Sequence, residues 1–165
     1  NSELASIVTE LGFIGVGQHS GAVGFDSDFS ALPRFPASGK FSNLETLSVK
    51  MYSLAYPATL SANAENPIDI NSTKNPPTLT VKPASENLLD TTRCFNSQGD
   101  QLPTDIENGA LLVKANEALS TGRHRYTCTS KSTHEDRFHW ISHQWLVEGK
   151  KPSWFNKVYH EWFGQ

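Results

Sequence analysis

The chain has 165 residues, 37% of them apolar, with 14 Lys and Arg against 17 Asp and Glu for a net charge of −3. That length accommodates one domain, or one domain and part of another. Without a basic excess there is no electrostatic basis for binding nucleic acid or an anionic membrane, and no apolar run approaches the roughly 20 residues of a spanning helix.

In chain order, Leu4, Ile7, Val8 and Leu11 fall at i, i+3, i+4 and i+7 behind Ser2 as N-cap, with Gly12 following. This spacing predicts an amphipathic helix that ends at the glycine. Phe13-Ile14-Gly15-Val16-Gly17 is too short for a helix and is punctuated by glycine, so it is expected to be a buried strand. A helix running into a buried strand is half of a βα unit and implies a parallel sheet covered on both faces. Gln18-His19-Ser20-Gly21 then falls where such a sheet presents its ligand-facing loops. Pro33 and Pro36 flank Arg34 and Phe35, holding that backbone extended and aiming the Arg34 guanidinium. A second helix is predicted over residues 43–53, capped by Asn43, with Leu44, Leu47, Met51 and Leu54 as its apolar stripe and Pro57 stopping it. Residues 1–56 thus read as α/β.

From 57 to 77 the composition turns to Pro, Asn, Ser and Ala without a sustained period, a linker crossing between two layers, with Ile68 and Ile70 marking a short edge strand. Residues 78–147 read as all-β: strands at 78–82, 91–95, 102–106, 110–115, 123–129 and 137–147, separated by turn signals. Asn108-Gly109 suits a type I′ hairpin. About six strands at this spacing predict a small sandwich of immunoglobulin-like shape. In the tail, 148–165, Trp154, Phe155, Val158, Tyr159, Trp162 and Phe163 form a helical stripe behind Pro152-Ser153, although Trp154, Val158 and Trp162 also fit strand alternation. Cys94 and Cys128 each lie in a strand-like stretch, open to pairing across a sheet or to service as buried thiols. Asn71-Ser72-Thr73 fits a glycosylation acceptor, a triplet frequent by chance.

The stretch LGFIGVGQHSGAVG followed by ALPRFP resembles the late region of bacterial polysaccharide deacetylases, the family-4 carbohydrate esterases, in particular a subgroup that continues into a C-terminal β domain. Asn75-Pro76-Pro77, Arg93-Cys94-Phe95, Arg125-Tyr126-Thr127-Cys128-Thr129 and Phe138-His139-Trp140-Ile141-Ser142-His143-Gln144-Trp145 resemble that C-terminal region, so the similarity spans most of the chain. The resemblance implies an α+β chain: the terminal βα elements of a deacetylase (β/α) barrel over 1–56, then a small antiparallel β-sandwich. It implies a Cys94–Cys128 disulfide, an exported protein and a polysaccharide substrate. It also implies that the chain, which starts at Asn1 without a signal peptide, is a fragment that begins late in the barrel. In the family, a divalent metal of the zinc type, held by Asp-His-His, activates water against an acetamide carbonyl, with an Asp as base and a late His as acid. Those metal ligands precede the matched region. The missing N-terminal half of the barrel is therefore the expected partner, and no cofactor is expected on this chain alone.

Several side chains carry competing readings. His139 and His143 have an H-x-x-x-H spacing, but on a strand they stand about 13 Å apart, too far to share one ion. His19 is the candidate for the late general acid, against the reading of an ordinary loop histidine. Gln18 and Arg34 are candidate substrate-binding residues, with Arg34 equally placed to pair with a carboxylate that closes the barrel. Trp140, Trp145, Trp154 and Trp162, with Tyr126 and Tyr159, make either a sugar-stacking platform or core. Two other functions are therefore carried: a non-catalytic carbohydrate-binding sandwich, and a structural domain docking through its aromatics.

Overall fold

The computed structural model describes residues 2–37, 39 and 42–149. The expected tail helix from Trp154 onward lies outside them. Two sheets, two α-helices and a 3-10 turn at Glu86–Leu88 make up the regular structure of the described chain. The strands are β1 Leu54–Ala55, β2 Ala58–Ala62, β3 Ile68–Asp69, β4 Thr78–Pro83, β5 Arg93–Phe95, β6 Thr104–Glu107, β7 Ala110–Lys114, β8 Gly122–Lys131 and β9 Phe138–Glu148. One sheet runs β2-β4-β7-β6 and the other β5-β8-β9, with β1 and β3 both pairing in parallel on the free edge of β9. Four strands facing three in this order is the arrangement of an immunoglobulin-like sandwich.

The stretch expected to be a linker carries strands of both sheets: β2 pairs antiparallel with β4, and β3 crosses to β9. The crossing and the edge strand at Ile68 were legible, but β2 was not, because Ala58-Thr59-Leu60-Ser61-Ala62 has too few large apolar residues to show a period. Between β1 and β3, the Asn66 side chain does what a strand would: its amide donates to the Gln144 carbonyl (2.8 Å) and accepts from the Leu146 N–H (2.9 Å). The β9 edge is therefore closed along much of its length against pairing with another chain.

Period-two alternation builds the core. Leu79 and Val81 of β4 and Leu111 and Val113 of β7 meet Cys94 of β5, Tyr126 and Cys128 of β8, and Trp145 and Val147 of β9. Each such fully buried aliphatic side chain is worth roughly 1.5–3 kcal/mol of transfer free energy. Tyr126 and Trp145 meet edge-on at 5.7 Å. The Tyr126 hydroxyl donates to the Pro77 carbonyl and accepts the Ala115 N–H, both at 3.2 Å, tying β8 to the two preceding connections. Cys94 and Cys128 are paired in register and joined by a disulfide with Cα atoms 4.1 Å apart, between neighbouring strands of one sheet. Asn108 and Gly109 adopt φ values of 50° and 74°, both positive as a type I′ turn requires.

Residues before β1 behave differently. α1 spans Ser2–Glu10 and closes with Phe13 N–H to the Val8 carbonyl and Gly12 N–H to the Thr9 carbonyl, around Gly12 at φ 71°. That is the bond pair of a Schellman cap. α2 spans Leu44–Met51, and the Asn43 side chain accepts the Thr46 N–H at 2.9 Å, the predicted cap. The strand expected at residues 13–17 is replaced by a single parallel bridge, Val16 to Leu32, and it is not buried: Phe13, Ile14 and Val16 are about two-thirds exposed. No neighbouring strand among the described residues covers it, so the apolar run has no sheet to join. Gly15 is what lets the two backbones meet there, since a Cβ on it would collide with the Ser30 carbonyl oxygen.

Candidate functional site

The outer face of the β5-β8-β9 sheet carries Arg123, Arg125 and Thr127 on β8 beside Leu146, Gln144 and Ser142 on β9, as their register requires. The loop of residues 18–36 lies on this face. Ser20 is its anchor, 2% exposed: its N–H donates to Ser142 Oγ (2.8 Å), Ser142 Oγ donates to the Ser20 carbonyl (2.6 Å), and Arg125 donates to Ser20 Oγ (3.0 Å). Ser142 itself is 3% exposed. Two places away Arg123 donates to the Gln18 side-chain oxygen (2.7 Å), and Phe35 packs edge-on against Trp140 at 5.2 Å. On the far side Lys50 of α2 donates to the Pro36 carbonyl (2.7 Å), its ammonium pKa lowered first by burial and then by the charge of Arg125. The loop is held by hydrogen bonds to neutral oxygens, with Gly21 tucked 3.2 Å (as a would-be Cβ) from Pro33.

A cleft of about 1150 Å³ opens between this loop and the sandwich, lined among others by His19, Asp28, Tyr56, Trp140, Ser142 and His143. Burial pushes the His19 imidazole below its usual value while the Asp28 carboxylate opposes that shift. His143 is lowered too, by burial and then by the charge of His19. Asp28 is held below the ordinary carboxylate range by the Ser30 hydroxyl (2.7 Å) and N–H (2.8 Å). Burial thus favours the neutral imidazole of His19.

The structure separates the sequence candidates. Gln18 faces β8 and is engaged by Arg123. His19 and Arg34 share a backbone contact, the Arg34 N–H donating to the His19 carbonyl at 3.1 Å, while the Arg34 side chain is exposed and makes no ion pair among the described residues. His139 and His143 both lie on β9. Nδ1 of the first is 3.1 Å from the Ala55 carbonyl oxygen, and the ring of the second packs at a tilt against Trp145, centroids 4.3 Å apart. Among the described residues no group of three or more His, Cys, Asp or Glu is placed to hold a metal ion. Trp145 is fully buried and offers no open ring for stacking a sugar, whereas Trp140 is half-buried, meets Phe35 edge-on and lines the cleft; Trp154 and Trp162 lie outside the described residues. Ser142, Arg125 and Lys50, which fix the loop, were missed. The alternation of Trp140, Ser142 and Gln144 assigns them to one face, but nothing local names what covers it.

No protein-family model matches the chain, and no curated protein matches it. No described helix is long and apolar enough to cross a membrane.

Proposed function

We propose that this chain is the C-terminal portion of an exported, metal-dependent polysaccharide deacetylase that hydrolyses acetamide groups of N-acetyl sugars. In this reading residues 1–56 supply the last βα elements of the catalytic (β/α) barrel, and the sandwich braces them. The motif resemblance supports it, and one observation carries it. Among the described residues, thirteen of the fifteen exposed large apolar side chains lie between Ile7 and Tyr52, Ile106 and Phe138 being the other two. The hydrophobic core has no member before Tyr56. Exposed apolar side chains concentrated in one segment are what a region covered by a partner surface would carry, and both of its helices are capped. The rest of a barrel is the cover that the resemblance supplies.

The divalent metal, held by upstream Asp and His residues, would supply the activated water. The residues on this chain position: Ser142 and Arg125 fix the ligand-facing loop through Ser20, and Arg34 stands ready for a polysaccharide oxygen. Export agrees with the oxidised Cys94–Cys128 pair. The test is acetate release from N-acetylated oligosaccharides by the chain joined to the sequence that precedes it, with and without a chelator. Release that the chelator abolishes, and that this chain alone does not give, is expected. No release from the extended chain with metal supplied overturns the reading.

A further inference from the structure

We infer that the outer face of β8, where it meets the loop at Gln18, is a binding site for a carboxylate, as borne by a uronic-acid unit of a polysaccharide. Arg123 and Arg125 project from the same face of one strand, about 7 Å apart along it, into a small pocket also lined by Gln18, Ser97, His124 and Gln144. Among the described residues neither guanidinium forms an ion pair; the pairs present are Lys131–Asp136 and Arg137–Glu135. Each gives one N–H to a neutral oxygen, of Gln18 and of Ser20, which fixes the fork without neutralising it. In a chain of net charge −3 this is a local excess of positive charge, and Arg125 is close enough to Lys50 to lower its affinity for a proton.

A planar fork held on a central strand matches a two-oxygen anion. The surrounding amides of Gln18 and Gln144 and the Ser97 hydroxyl, which accepts the Arg125 N–H at 2.8 Å, are groups that take sugar hydroxyls. The choice of a sugar carboxylate rests on the polysaccharide reading above; the anion site itself does not.

Tri-galacturonate, its uncharged methyl ester and inorganic phosphate, titrated separately into the isotope-labelled chain and followed by amide chemical shifts, test this. Saturable shifts at Gln18, Ser97, Arg123 and Arg125 with the free acid alone are expected. Arg123→Gln should weaken binding about five- to tenfold, as the loss of one exposed charge-assisted hydrogen bond does. Lys114→Gln, an equal charge change at an exposed residue at the end of β7, should leave it unaltered. Arg123 is exposed, so its variant is expected to fold. Should it melt early, added salt decides, weakening the acid and not the ester. The inference is overturned if acid and ester bind alike, if Lys114→Gln weakens binding as much as Arg123→Gln, or if phosphate binds and the uronate does not. None of these outcomes depends on acetate release.

Discussion

Residues 54–149 and residues 2–52 follow opposite rules of burial. In the sandwich, Leu79, Val81, Leu111, Val113, Tyr126 and Trp145 are inside, and the exposed positions are mostly polar. In the N-terminal segment the described buried residues are Ser20, Gly21 and Lys50, whereas Phe13, Ile14, Val16, Phe25 and Met51 face outward. Local signals operate equally in both: a Schellman cap at Gly12, an Asn43 cap and a type I′ turn at Asn108-Gly109 all form. What differs is whether a second layer exists to receive the apolar face. Caps and turns can be satisfied within a few residues, but hydrophobic burial needs a partner surface.

Paired truncations should break that comparison most sharply. Leu111→Ala in β7 removes a side chain that is 2% exposed and should cost about 2–5 kcal/mol in urea unfolding. Reduction of the Cys94–Cys128 disulfide, whose cysteines are 34 residues apart, should cost about 2–4 kcal/mol, seen as a lower urea midpoint in reductant. Ser142→Val leaves the buried Ser20 N–H without its acceptor, at about 1–3 kcal/mol. Its mark should be faster amide exchange in residues 13–36, with the strands of the sandwich unchanged. At the other extreme, Leu44→Ala on α2 changes a residue that is 83% exposed and should stay within about 0.5 kcal/mol.

Acid should sharpen the same contrast at the seam. His19 and His143 have folded pKa values below the unfolded histidine value of about 6.5. The unfolded chain therefore binds more protons as pH falls. Stability from these groups is fully present above about pH 6.5 and is lost as pH drops toward the depressed folded values. Urea midpoints measured from pH 7.5 downward should show this fall, and His143→Gln should flatten it.

The strands of the sandwich were legible because each carries large apolar residues at alternate positions between turn residues, and β4, β7, β8 and β9 lie within a residue or two of their expected bounds. β2 was not, since Ala and Ser give no contrast between faces. Residues 13–17 have the apolar composition of a buried strand, but among the described residues they make a single bridge to Leu32 and stay exposed. The loop residues were legible as a loop at Gln18–Gly21, but their fixing by Ser142 and Arg125 joins positions more than 100 residues apart, and single-sequence patterns carry no such pairing.

Oxidative surface labelling of Phe13, Phe25 and Met51 measures the bare face directly, in this chain and in the chain joined to its preceding sequence. The account predicts strong labelling in the first and protection in the second. Labelling that persists in the extended chain, or protection already complete in the short one, would contradict it.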